Sequence, residues 1–342
     1  MTRVLTEREL NRALLARQML LERVQMPLPR ALERMGGLQA QYAPSMYVGL
    51  WTRLKGFERD QLTRALERRS IIQGSMMRST IHLVSKRDYW PFVVGIRRPR
   101  REWWLRTHGR DTDAKTIAAN DRKVRRAFKG GTLTRAELEE VLGEGLGVAG
   151  LFVDLVRVPP SGTWERRRAD LYALAEDWVG PESATEAEGV DLLVRRYLQA
   201  FGPARPVEIA NWASLEVKTT RRALERLELR RFQDEQGKEL VDLPRLPLPD
   251  GDTPAPVRFL PVWDATLLVH ARGTQILPER HRSRIFNVRN PQSMNTFLVD
   301  GQVAGAWRYE KGRVKIEPFG RLPKGVRGEL DDEAEHLAAF HE

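Results

Sequence analysis

Two glutamines flank one small apolar residue in the stretch Gly36-Gly37-Leu38-Gln39-Ala40-Gln41-Tyr42-Ala43-Pro44. In a helix the side chains of residues i and i+2 point to nearly opposite sides, whereas in an extended segment they share a face. The glycine pair before them and Ala43-Pro44 after them favour the extended form, because a residue ahead of proline avoids the helical region. Gln39 and Gln41 are therefore expected to present two neutral amides side by side, each able to donate and to accept. One use for such a pair is to satisfy backbone groups where one helix hands over to the next.

Other catalytic patterns are absent or out of context. Gly145-x-Gly147-x-x-Gly150 has the form of a dinucleotide fingerprint, but it follows a helical stretch instead of a strand. The six histidines have no metal-ligand spacing, and there is no HExxH, nucleophile elbow or P-loop. His82 and His270 lie in apolar runs, where a histidine is ordinarily partly buried and hydrogen-bonded. The acidic run LDDEAEHL near the end reads as a solvated helix face. Cysteine is absent, which removes thiolate chemistry and disulfides. No metal and no cofactor are expected.

The elements that must position the amides can be read more coarsely. The 342 residues, 41% hydrophobic and 30% charged, suit a soluble globular chain with several modules. No apolar run approaches the roughly 18 residues of a membrane span, and the amphipathic first helix has no signal-peptide core. The expectation is a cytoplasmic, nucleoid-associated protein with no membrane partner. A formal charge of +11 and a pI near 10.1 point to a polyanionic partner. The basic residues cluster: six arginines surround Trp103 and Trp104 in residues 96–110. Further blocks hold Trp164, Arg166, Arg167 and Arg168; Arg221 and Arg222; and Arg280, His281 and Arg284. Cations beside aromatics suit nucleic acid, where phosphate attraction and base stacking act together.

Thr6 with Glu9 and Thr134 with Glu137 are capping-box signatures of helix starts. Helices followed by a β-hairpin, as around SMMRSTIHLVSKRDY, are the outline of a winged helix, and the outline recurs. Residues 191–229 show it best: a helix, a GPARP turn, a short helix, then a long basic helix in TTRRALERL. After about residue 240 a Pro/Asp-rich boundary leads to a mixed α/β part, with hairpin turns at Asp300-Gly301 and Lys311-Gly312. The expected fold class is α+β. Three tandem winged-helix modules (1–118, 119–188, 189–248) are expected, with a C-terminal mixed part over 249–342.

Several stretches together, GGLQAQYAPSMYVGLWTRL, MMRSTIHLVSKRDYW, VRVPPSGTWERRRADLYALAEDW, RRYLQAFGPARPVEIANWASL and VWDATLLVHARGTQILPERHRSRIF with LVDGQVAGAWR, resemble the AlkZ/YcaQ-like winged-helix DNA glycosylases. The resemblance runs in order from about residue 5 to the end. It implies tandem winged helices around a concave DNA-binding surface, and hydrolysis of the N-glycosidic bond of alkylated purines, N7-linked guanines and some interstrand crosslinks included. It places the glutamine–apolar–glutamine motif, Gln39, Ala40 and Gln41, at the active site. The YcaQ branch has aspartate at the second position, so Gln41 sides with the AlkZ branch and leaves the motif without a carboxylate.

The chemistry is coherent with that absence. An N7-alkylguanine already carries positive charge and leaves neutral, so no acid is needed; what remains is to place a water and stabilise an oxocarbenium-like centre. No lysine sits in the motif to form a Schiff base, so strand cleavage is not expected. The expected partner is double-stranded DNA holding alkylated purines or crosslinks, bound by a monomer through Arg78, His82, Arg157 and the basic blocks. The competing expectation is a non-enzymatic tandem winged-helix DNA binder such as a regulator, to which the glutamine pair would be superfluous.

Overall fold

The helix starts written in the sequence are formed. Thr6 and Thr134 accept from the backbone N–H three residues ahead, while Glu9 and Glu137 reach back; Thr185 and Glu188 repeat the device. The computed structural model describes residues 2–108, 114–143, 153–286 and 294–342. The Gly145–Gly150 fingerprint and Arg110 lie outside them.

The chain opens with β1 (Val4–Leu5), α1 (Glu7–Arg17), α2 (Leu28–Met35), β2 (Leu38–Gln39), α3 (Ala43–Trp51) and α4 (Arg59–Glu67). The hairpin β3 (Ile71–Ser75) and β4 (Ile81–Ser85) leads into α5 (Lys86–His108). Then come α6 (Ala114–Ala127), β5 (Leu133–Thr134), α7 (Arg135–Leu142), β6 (Leu155–Arg157), β7 (Leu171–Leu174) and α8 (Ala175–Trp178). Three helices follow, α9 (Glu186–Phe201), α10 (Pro206–Ala213) and α11 (Val217–Leu224), with the ribbon β8 (Arg230–Asp234) and β9 (Glu239–Asp242). The last part is β10 (Arg258–Leu260), α12 (Glu279–Ile285), β11 (Thr296–Val299), β12 (Gln302–Glu310), β13 (Arg313–Pro318) and α13 (Val326–His341).

Three sheets organise these elements. The largest runs β2-β4-β3-β6-β7-β5, so strands from both sides of residue 118 form one continuous sheet. Ile72, Val84 and Val156 on one face pack with Tyr89, Tyr197 and Trp212. Leu38, Ile71, Ile81 and Leu83 on the other pack with Tyr47, Trp164 and Leu337. β1 adds in parallel to the β8–β9 ribbon, and β10-β11-β12-β13 is antiparallel. Its two turns carry positive φ at Asp300 and Gly301 (46° and 78°) and at Lys311 and Gly312 (51° and 76°), as two-residue hairpin loops require.

α5 and α9 touch backbone to backbone. A Cβ at Gly189 would lie 2.3 Å from Pro91 O, and one at Gly95 2.7 Å from Gly189 C. Buried ion pairs lock further elements. Arg17 on α1 binds Asp242 on β9 (2.8 Å), and Arg53 binds Asp264 (2.9 Å), all four nearly inaccessible.

Three expectations change here. α11 is short: it stops at Leu224, where Arg226 N–H and Leu227 N–H turn back to carbonyls three residues earlier. The acidic run on α13 is not all solvated, because Glu333 is buried and binds Arg23 at 2.5 Å. Trp164, expected against DNA, is 5% exposed. Ser161 Oγ donates to Arg168 O and receives Asp170 N–H, which closes the 160–170 loop and turns the indole inward against Tyr47, Phe340 and His341 (5.5, 5.7 and 5.1 Å).

Candidate active site

β2 is an edge strand, and its register on β4 pairs Leu38 with Leu83 and Gln39 with His82. Ala40 N–H donates to Ile81 O at 2.7 Å, so the extended form continues through the motif. Gln39 is 5% exposed, while Gln41, just past the strand, is exposed. Both amide oxygens turn to the β3–β4 connection. Gln39 Oε1 accepts from Arg78 Nη2 (3.3 Å), and Gln41 Oε1 accepts from Ile81 N–H (3.3 Å). A guanidinium and a backbone N–H can only donate, which fixes the orientation of both amides. Each oxygen keeps a second lone pair.

The connection itself is strained. Arg78 and Ser79 both have φ near 55°, a left-handed conformation that non-glycine residues seldom take. It is held from outside: Arg78 N–H donates to Ser214 Oγ and Nη1 to Trp212 O, each at 2.8 Å, at the C-terminal end of α10. Arg78 therefore ties Gln39 to the three-helix unit. Burial lowers its pKa to about 10, so it stays a cation at neutral pH. Among the described residues no carboxylate forms an ion pair with it.

Two neutral histidines sit in its field. His82 is 3% exposed, with Nδ1 3.0 Å from Thr80 O. A carbonyl only accepts, so Nδ1 carries the proton and Nε2 the lone pair. Burial, then the charge of Arg78, push its pKa to about 3. His270 packs against Phe201 and Tyr197 (ring centroids 4.7 and 5.5 Å), and burial followed by Arg78 lowers its pKa well below the usual value. A hydrogen bond is expected of it; neither ring nitrogen makes one of good geometry among the described residues, and the backbone of Ala265 is the polar group that faces the ring.

Of the sequence candidates, Arg78 and His82 are thus brought to Gln39. Arg157 lies across Gln73 on β3, its guanidinium 5.7 Å from the Tyr172 ring. Gln73, which sequence reasoning missed, donates from Nε2 to Ala40 O at 3.4 Å. Its side chain also lies against Gly162, where a Cβ would approach Gln73 Oε1 to 2.9 Å. Nothing in its local composition marks it; only the pairing of β3 with β4 does. Ser214 was missed for the same reason, its partner Arg78 being 136 residues away.

The remaining cations divide. Arg166, Arg167, Arg168, Arg221, Arg222, Arg280 and Arg284 are exposed. Arg168 pairs with Asp170 (3.1 Å), and Arg167 lies over the Trp164 ring. Arg280 Nε donates to His281 Nε2, and His281 and Arg284 both flank the Phe319 ring. Part of the 96–110 cluster is taken up by ion pairs and hydrogen bonds, since Arg97 binds Asp154 and Glu182, Arg98 binds Glu186, and buried Arg100 donates to Ser75 O, while Arg98, Trp103 and Arg106 stay exposed. Among the described residues no group of side chains could hold a metal ion, and no helix is long and apolar enough to cross a membrane.

The site is thus an extended segment with two oriented amides, tied through Arg78 to a three-helix unit. The family model described as "AlkZ-like: DNA glycosylase AlkZ-like" matches residues 32–340, and the chain belongs to this family of DNA glycosylases. Its fold is similar to that of the Streptomyces sahachiroi DNA glycosylase AlkZ, with a TM-score of 0.81 at 21% identity over 99% of this chain and 97% of that one. A search of curated proteins gives no match.

Proposed function

We propose that this glycosylase hydrolyses the N-glycosidic bond of N-alkylated, cationic purines in double-stranded DNA, N7-guanine interstrand crosslinks included, with Gln39 and Gln41 as its catalytic amides. The observation that carries this reading is the pair of fixed amide oxygens in a motif without a carboxylate. Neutral dipoles are poor bases, which suits a substrate whose base is already a good leaving group and would suit a neutral base badly. The free lone pairs of the two oxygens accept from a water and face the positive charge that grows on the sugar. The base leaves neutral, and no covalent intermediate forms on the protein.

The helical units with their ribbons act as winged helices, in the modules 1–118, 119–188 and 189–248, with 249–342 as a C-terminal part. Exposed Arg166, Arg167, Arg221, Arg222, Arg280 and Arg284 take phosphates, and Arg157 the strand nearest the motif. Arg78, a half-buried cation without a carboxylate, suits a phosphate drawn close to the scissile bond. The protein acts as a monomer at the nucleoid. The test is release of 7-methylguanine from methylated duplex DNA. Tight duplex binding without release of any alkylated base would replace this reading with that of a DNA-binding regulator.

A further inference from the structure

The amides leave one step without an owner. As water adds to C1′, the C1′–N9 bond breaks and its electron pair leaves with the purine, which becomes neutral. The added oxygen then holds one proton too many, and an amide does not take it. We propose that His82 is a further catalytic residue that accepts this proton on Nε2 and passes it to solvent. The inference rests on the hydrolysis proposed above.

Three features of the geometry support it. Because Ala40 N–H bonds Ile81 O, Gln39 and His82 fall at the neighbouring non-hydrogen-bonded position, where paired side chains stand closest on one face. Any water held by the Gln39 oxygen is therefore within reach of the imidazole. On the other side His82 pairs with Gly74, over which the Tyr89 ring packs, 3.3 Å from where a Cβ would sit, so an apolar wall closes that flank. Finally, Nδ1–H is committed to Thr80 O, which leaves the lone pair on Nε2.

The ring's weak basicity is no obstacle. Burial and Arg78 hold the imidazole neutral, ready to accept. A protonated hemiacetal oxygen is far more acidic than any imidazolium, so even a weak acceptor takes the proton once the C–O bond has formed. Arg78 then disfavours the imidazolium, which speeds its return to the neutral form. Gln39 holds the water, and His82 receives what the water must lose.

The experiment compares His82→Phe and His82→Gln with wild type in single-turnover release of 7-methylguanine, with duplex affinity and melting temperature measured beside it. His82→Phe is expected to lose about 10²-fold in rate at nearly unchanged affinity, and His82→Gln, which keeps an acceptor oxygen, less. Because His82 is buried and its variants can fail to fold, wild type carries a second readout. Nitrogen NMR of labelled histidine should show a protonated Nδ1 and a bare Nε2 at neutral pH. The Nε2 signal should move when a duplex bearing a cationic pyrrolidine abasic analogue is added. A proton on Nε2 in the free protein, an Nε2 signal indifferent to the analogue, or wild-type excision by His82→Phe would overturn the proposal. If wild type itself releases no alkylated base, the hydrolysis reading fails and takes this step with it; an active wild type with an equally active His82→Phe removes His82 alone.

Discussion

Replacing Gln39 and Gln41 by alanine, singly and together, separates the two amides by what each touches. Gln39→Ala removes the acceptor of a mostly buried arginine that has no carboxylate to turn to. Leaving a buried donor of a charged group without its partner costs about 1–3 kcal/mol, so this variant should be measurably less stable. Gln41→Ala removes one bond from an exposed side chain to Ile81 N–H and should cost about 0.5–1.5 kcal/mol. In catalysis the order of the two is not set by burial. Each loses one dipole at a developing cation, about 3 kcal/mol or ~10²-fold in rate. If both hold one water, the double variant should lose little more than either single one. Gln41→Asp keeps an acceptor for Ile81 N–H and should retain activity. The assay is single-turnover release of 7-methylguanine, with urea unfolding as the stability measure. Wild-type excision rates in both alanine variants, with only the stability difference remaining, would show the amides to be structural.

Further expectations follow from other parts of the structure. Duplex affinity should fall steeply with salt, and Arg221→Ala with Arg222→Ala should shallow the log–log slope by about 0.9 for each phosphate no longer neutralised; an unchanged slope would take α11 off the DNA. Asp242→Ala leaves Arg17 buried and unpaired and should cost about 3–5 kcal/mol in urea unfolding. His82 has a folded pKa near 3, below its unfolded value, so its contribution is full above about pH 6.5 and is lost as pH falls towards 3. Between pH 6.5 and 5 that should remove about 2 kcal/mol, and a flat stability profile over this range would contradict a neutral buried ring. Gly189→Ala should force α5 and α9 apart and lower the melting temperature sharply, whereas Gly312→Ala, with open space around it, should show only its local turn strain.

What the sequence makes legible depends on how far apart the interacting residues lie. The capping boxes at Thr6 and Thr134, the two-residue turns of the C-terminal hairpins and the extended motif at Gln39 are set by neighbours within a few residues, and all are formed. The placing of Arg78 and His82 beside Gln39 follows from one hairpin and one strand pairing. Charge clusters mislead for the opposite reason. A run such as 96–110 shows how many cations it contains but not that Asp154, Glu182 and Glu186 receive them. Trp164 looked like a stacking surface for DNA because its arginine neighbours are visible in sequence and Phe340 is not. Gln73 and Ser214 contact the motif and Arg78 only through tertiary pairing, so no local pattern could have named them.

The parallel pairing of β1 with β8 has a consequence for how the chain reaches this fold. Glu7 N–H bonds the Glu235 carboxylate beside that pairing, across 228 residues. Closing so long a loop costs on the order of 5 kcal/mol of chain entropy before the pairing returns anything, whereas the β8–β9 hairpin closes locally. The ribbon therefore forms first and waits with β8 as a bare strand edge, open to the wrong partner. Val4 and Leu5 complete it only after α1 has docked on α9, which makes a two-residue strand the late seal on the sheet beside α9.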